Sequence, residues 1–402
     1  MAADRAVQPQ VRQEAVTGTI PSLNGIRAIA VSMVFLAHSG LEDIVPGGLG
    51  VTIFFVLSGY LITTLMRLEF SESRAIDYRA FYQRRLLRLM PPLLIVIVVT
   101  GALSAISVVD GRFSLNGLMS VLFYYGNYYF IAHDFNGVPA GLGPMWSLAV
   151  EEHFYILFPP LAFLLLRAGR PRLSVLVLSG LCALIVFRRI WLVLHGASDV
   201  YLAMATETRA DPILFGCIMA LLCNPRIDAV APPKAIRDWG LLAGAVTLLL
   251  ATLAYRNEFF RFTLRYTLQS LAIATLLYLA VARADQRPYR WLNSKPMVYI
   301  GTISYAVYLA SSVIQFAVHG HWPGLGWAGE TLMSAALTLV VAESMRRWVE
   351  EPCARLRKRL HRKTRVIATT GPELQASKTA VGTPLVSRSG DNESERIGAP
   401  LG

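Results

Sequence analysis

Leu23-Asn24-Gly25-Ile26-Arg27-Ala28-Ile29-Ala30-Val31-Ser32-Met33-Val34-Phe35-Leu36-Ala37-His38-Ser39-Gly40 reads as an apolar helix with one arginine near its start and one histidine near its end. Arg27 and His38 are eleven positions apart. On an α-helix that spacing puts them within about 20° of one face and roughly 16 Å apart in height. The residues between them suit lipid. Ionisable groups inside a membrane helix are costly and by default mark a polar path. The alternative is that the two side chains snorkel to opposite interfaces.

The rest of the chain supports a membrane reading. Its 402 residues are 54% hydrophobic and only 16% charged, with a mean hydropathy of +0.47, whereas soluble domains sit near a quarter charged. The expected fold class is therefore all-α, a polytopic membrane helix bundle. The first apolar segment carries two ionisable residues and lacks a small-residue cleavage signal, so it is expected to be retained. The formal net charge of +12 invites a nucleic-acid partner, but the basic residues cluster between apolar segments, which is the positive-inside pattern. Cys182, Cys217, Cys223 and Cys353 show no paired spacing, so neither a disulfide framework nor a zinc site is implied.

The spacing predicts a second helix over Val51 to Met66, followed by a hydrophilic loop holding Arg67, Arg74, Arg79, Arg84, Arg85 and Arg88. Pro91 and Pro92 then open a third apolar run. Further candidates lie near 145–166, 174–194, 206–223, 239–255, 263–282, 297–317 and 327–345. The tyrosine-rich run from Leu115 to Ile131 is the weakest. Placing every basic cluster on the cytoplasmic side requires that this run not cross, so it is expected to be interfacial or re-entrant. About ten crossings remain, with both ends inside. Residues 1–20 and 365–402 are polar and expected to be disordered, the second as a cytoplasmic tail, leaving 21–364 as one membrane domain. No internal repeat suggests the inverted halves of a transporter.

Several stretches together resemble one family. They are Leu23–Ala30 running to His38, Gly48-Leu49-Gly50-Val51-Thr52-Ile53-Phe54-Phe55-Val56-Leu57-Ser58-Gly59-Tyr60, and Phe81-Tyr82-Gln83-Arg84-Arg85-Leu86-Leu87-Arg88-Leu89-Met90-Pro91. Trp146-Ser147-Leu148-Ala149-Val150-Glu151-Glu152-His153-Phe154-Tyr155 follows, with weaker matches at Arg209-Ala210-Asp211, Ile303-Ser304-Tyr305 to Leu309, and Glu350-Glu351-Pro352. In order and spacing they are similar to acyltransferase family 3, integral-membrane O-acyltransferases of bacterial surface glycans and some small molecules. The resemblance covers about residues 20–360. It implies an acyl-CoA co-substrate, most often acetyl-CoA, no permanently bound cofactor, and residence in the bacterial inner membrane. One departure is that Ala310-Ser311-Ser312 stands where many members carry a histidine after the Tyr-x-x-Tyr-Leu stretch. The role of that histidine is either dispensable here or supplied by another group such as His319 or His321.

Moving an acyl group from a thioester to an alcohol needs a base near the hydroxyl and a place for the donor. His38 is the candidate base, since imidazole titrates near neutral pH. A buried histidine satisfied by a backbone carbonyl is the alternative. Glu151 is the candidate carboxylate to orient and charge-stabilise it, as in a hydrolase triad, or else a structural partner of Arg27 or Arg209. Glu151 shares a helical face with Tyr155. Arg27 completes the catalytic set, marking the inner part of the path. Arg84, Arg85 and Arg88 suit the phosphates of coenzyme A, against the alternative of headgroup contact. Arg209, Asp211, Tyr155 and Tyr305 are candidate substrate-contacting or structural polar residues. Arg188 and Arg189 receive no role.

Ser58-Gly59 lacks a nucleophile elbow and reads as small residues for close helix packing. His195 and Asp199 match an acyltransferase spacing outside its proper context. The expected partners are the membrane, acyl-CoA and a hydroxyl acceptor: a polysaccharide, lipopolysaccharide or lipo-oligosaccharide. The competing readings are acylation of a secondary metabolite such as an antibiotic sugar, and a transporter or flippase using the same charged residues as a path.

Overall fold

The computed structural model describes residues 20–357, and among them every regular element is a helix. The expected disordered ends lie outside the described residues, apart from Ile20. Residues up to Cys353 form one compact body; the four described residues beyond it, Ala354–Arg357, are helical and belong to the following segment.

Helix α1 is Leu23–Leu36 and runs on into one π-helical turn, Ala37–Leu41. Helix α2, Gly47–Ser73, follows a short turn and ends at Arg74, which takes the left-handed conformation with φ 56°. Helix α3 is Tyr78–Ala105. Its start differs from the sequence expectation, in which prolines open the third segment after a loop. The Asp77 side chain instead caps the helix by accepting the Ala80 N–H at 2.9 Å, and Pro91 and Pro92 lie inside it. A side-chain cap fixes a helix start as effectively as a proline does. Arg84, Arg85 and Arg88 therefore project from a helix at three- and four-residue spacing rather than from a loop.

The Leu115–Ile131 run breaks into α4, Leu115–Leu122, and α5, Gly126–His133, on either side of Tyr124, which has φ 57°. Each is about 12 Å long, far short of a bilayer of about 30 Å, so neither spans it. Helices α6 (Trp146–Ala168) and α7 (Pro171–Leu194) are long and apolar. After the short α8 (Asp199–Met204), the 206–223 candidate is split into two pieces, α9 (Thr206–Arg209) and α10 (Asp211–Leu222). Then come α11 (Ala235–Ala254), the short α12 (Glu258–Phe262), α13 (Arg265–Ala282), α14 (Lys295–His321) and α15 (Gly326–Met345). Among the described residues eight helices are long and apolar enough to cross a membrane; α1 and α10 are apolar but shorter.

Helix α2 is the most enclosed of the spans and packs against α1, α6, α10 and α13. Gly59 of α2 and Gly216 of α10 each face the other helix's backbone, where any Cβ would collide with the carbonyl of Ile213 or Val56. Small residues let two membrane helices approach this closely. Gly301 of α14 meets the Asn24 backbone of α1 in the same way. Large apolar side chains such as Val98, Leu157, Leu176 and Val340 are exposed, as a lipid-facing surface requires.

Candidate functional site

His38 sits in the π-helical turn, where Ser39 leaves helical geometry and Gly40 has φ 84°. Such turns leave carbonyls without their usual partners and recur at functional sites. The His38 Nδ1 lies 2.8 Å from the Val34 carbonyl oxygen. A carbonyl can only accept, so Nδ1 carries the proton and the neutral ring presents the lone pair of Nε2. The ring is exposed and lines a cavity of about 1380 Å³ together with Trp146, Tyr266, Gln269, Tyr308 and Ser312. The cavity wall also carries Glu42, Asp43, Asp110 and Asp134 from loops, and Arg256, Arg261 and Arg265 around α12.

A second polar group lies deeper. Glu151 accepts from Ser58 Oγ at 3.0 Å and from the Tyr155 hydroxyl at 3.3 Å. Next to it Arg85 donates to Glu152 at 2.9 Å and lies flat over the Tyr155 ring, 3.2 Å from its centroid. Arg85 Nε is buried with no partner. Arg85 and Glu152 line a smaller cavity of about 330 Å³ with Arg79, Tyr82, Gln83 and Tyr124. Arg27 donates to Asn24 Oδ1 at 3.3 Å and has Glu151, Tyr155 and Arg88 as electrostatic neighbours.

The antiparallel pairing of α1 and α2 gives the depth of each group. At Gly47, Ala37 approaches so closely that a Cβ would meet it at 2.6 Å, so His38 is level with the start of α2. Ser58, which holds Glu151, is eleven residues further along the same helix, a descent of about 16 Å. Arg27 is the same distance below His38 on α1. The structure thus brings Glu151 to the level of Arg27, with Tyr155 and Arg85, and not to His38. The orienting partner expected of Glu151 is supplied to His38 by the Val34 carbonyl.

The other candidates separate in the same way. Arg84 turns away to Glu69 at 3.5 Å, so of the arginine trio Arg85 is the one in contact with the inner group, while Arg88 acts on Arg27 electrostatically. Tyr305 donates to the Leu89 carbonyl of α3 at 2.8 Å. Asp211 forms a fully buried pair with Arg189 at 2.9 Å and accepts from Thr267 at 2.6 Å, which gives Arg189 a structural role that the sequence did not suggest. Arg209, 1% exposed, lies over the Tyr266 ring at 3.6 Å with Trp146 and Phe55 nearby. Its charge is met by ring faces, by the Thr52 hydroxyl, which accepts from it at 3.4 Å, and by the electrostatic attraction of Asp211. His319 pairs with Glu330 at 2.8 Å and His321 caps the Ala317 carbonyl; neither lines the His38 cavity. His195 bonds the Trp191 carbonyl at 2.7 Å. Ser58 was read as a packing residue; Gly59 beside it packs, while Ser58 holds Glu151. Its polarity one residue before a close-approach glycine was the available signal.

A family profile described as an acyltransferase domain matches residues 20–343. The chain belongs to the acyltransferase 3 family. It is 30% identical over 355 residues to the peptidoglycan O-acetyltransferase OatA of Listeria monocytogenes, covering 83% of this chain and 55% of that protein. It is 30% identical over 348 residues to the O-acetyltransferase OatA of Staphylococcus aureus, covering 83% of this chain and 57% of that one. The chain thus spans little more than half the length of these relatives. No solved structure matches it.

Proposed function

We propose that this membrane acyltransferase moves an acyl group, in the first instance acetyl, from acyl-CoA to a hydroxyl of a surface or exported glycan, with His38 as the base. The observation that carries the reading is the 2.8 Å contact of His38 Nδ1 with the Val34 carbonyl, which assigns the neutral ring's proton to Nδ1 and leaves Nε2 as the acceptor on a ring that lines the large cavity. Nε2 takes the proton of the acceptor hydroxyl as its oxygen attacks the thioester carbonyl. The tetrahedral oxyanion collapses, the C–S bond breaks, and the coenzyme A thiolate leaves and takes up a proton, while imidazolium returns its own to solvent.

The deeper group suits the donor. Arg88 is an electrostatic neighbour of Arg27, and Arg85, beside Glu151 and Glu152, keeps an unpaired donor beside its cavity. Guanidinium groups match phosphate geometry. Glu151 and Glu152 hold these cations in place rather than acting on His38. The arginine-rich ends of α2 and α3 face the cytoplasm, where acyl-CoA is made, and the His38 cavity opens on the outer side. Its aromatic faces and mixed charges suit a polyhydroxylated acceptor, and the names of the relatives favour a cell-wall glycan.

The test is the purified protein in proteoliposomes supplied with acetyl-CoA and glycan fragments, with free coenzyme A and acetylated product both measured. Release of coenzyme A matched by product supports the reading. Passage of a solute without either would make the protein a transporter, and product formed only from a small-molecule sugar would replace the acceptor.

A further inference from the structure

The π-helical turn that presents His38 needs a support from outside α1. Inserting one residue into a helix frees carbonyls that must find other donors. Val34 O is taken by His38 itself. Phe35 O receives Ser39 Oγ at 2.9 Å and also the side-chain amide of Gln315 at 2.9 Å. The same Gln315 Nε2 donates to Ser39 Oγ at 2.7 Å. Because Phe35 O can only accept, the amide nitrogen and not the oxygen must face α1. Trp327, at the start of α15, donates to the Ser39 carbonyl at 2.6 Å.

Gln315 is 9% exposed and lies on α14, four residues after Ser311. Tyr308, Ser312 and Phe316 of α14 line the His38 cavity, while Gln315, on the neighbouring face, reaches α1. We infer that Gln315 is a positioning residue for acyl transfer: its amide holds the π-helical turn open so that the His38 ring stays in the cavity with Nε2 directed outward. It does so through the Phe35 carbonyl on one side of His38 and the Ser39 hydroxyl on the other, without touching the ring. The inference rests on His38 being the base.

Gln315→Met keeps the length and removes the donor; Gln315→Glu keeps the shape and replaces the amide donor with an oxygen. A misplacement of about 1 Å at a reacting group can cost on the order of 10²-fold, so both variants should lose about that much in kcat. Their KM for acetyl-CoA should stay unchanged, because the donor group lies some 16 Å deeper. The rate at which diethyl pyrocarbonate modifies His38, read by mass spectrometry of the detergent-solubilised protein, should also change in both. A general loss of packing would instead lower the yield of inserted protein and move kcat and KM together. Wild-type kcat and an unaltered His38 modification rate in Gln315→Met, with His38→Ala inactive, would overturn the role of Gln315 alone. Full transfer by His38→Ala would overturn the base assignment beneath it.

Discussion

The two levels of the site predict how losses at His38 and Glu151 combine. Removing a general base costs about 10²–10⁴-fold, and His38→Ala should fall in that range for acyl transfer with donor binding intact. Glu151→Gln keeps the shape of the side chain and removes its charge, leaving Arg27 and Arg85 with one less counter-ion; it should weaken acyl-CoA binding as well as transfer. The two positions are separated by eleven residues of α2, from Gly47 beside Ala37 to Ser58 on Glu151, hence by about 16 Å. Substitutions further apart than about 7–10 Å, with no shared partner, combine to within about 0.5 kcal/mol. The fold losses should therefore multiply. Coenzyme A release with radiolabelled acetyl-CoA gives the range needed to read the double variant, and donor affinity measured by calorimetry gives a second axis. A double variant no slower than His38→Ala, with Glu151→Gln binding donor normally, would show that the two act as one unit and refute the separation.

Arg85→Ala should raise the KM for acyl-CoA more than that for the acceptor, whereas Arg84→Ala, whose guanidinium faces Glu69, should leave both near wild type; equal effects would return the cluster to topology. Asp211→Asn leaves Arg189 charged in a fully buried site, and breaking such a pair costs about 3–5 kcal/mol, so thermal unfolding in detergent should drop sharply; an unchanged melting temperature would refute the pair. Burial alone would raise the Asp228 carboxyl, but hydrogen bonds from Arg67 and the Asn224 N–H hold it below its usual range. Its contribution to stability is then present above the ordinary carboxylate range and lost as pH falls through the depressed value. Asp228→Asn should flatten that acid-side decline in thermal stability. Cysteines introduced at Asp43 and Asp199 should react with an impermeant maleimide from outside and one at Asp77 should not; the reverse pattern would invert the bundle.

Much of the fold was legible because lipid leaves so few options for a backbone. Apolar runs at Val51–Met66 and 297–317 could be little else than helices, and the tyrosine-rich run from Leu115 to Ile131, expected not to cross, breaks at Tyr124, just before Gly126-Asn127. Helix starts were less legible. Pro91 is a strong punctuation signal, yet one aspartate at 77 outweighed it by capping the chain fourteen residues earlier. The 206–223 run carried Arg209 and Asp211 near its start, and these mark the break between α9 and α10 that a hydropathy window smooths over.

The site was legible as a list of residues but not as pairs, and the reason is depth. Sequence reading puts His38 and Glu151 on apolar helices and lets a triad join them, since neither residue carries its own height. Height enters only through contacts between helices. Ala37 against Gly47 sets one level and Ser58 against Glu151 sets another, and the distance between them is a count of residues along α2. The same count explains why the Arg27-to-His38 spacing carries more information than either residue alone. An arginine and a histidine eleven residues apart on one helix face bind the two levels to a single rigid element. On the proposed mechanism the acyl group must then travel to His38, because the element that carries His38 cannot travel to the deeper group.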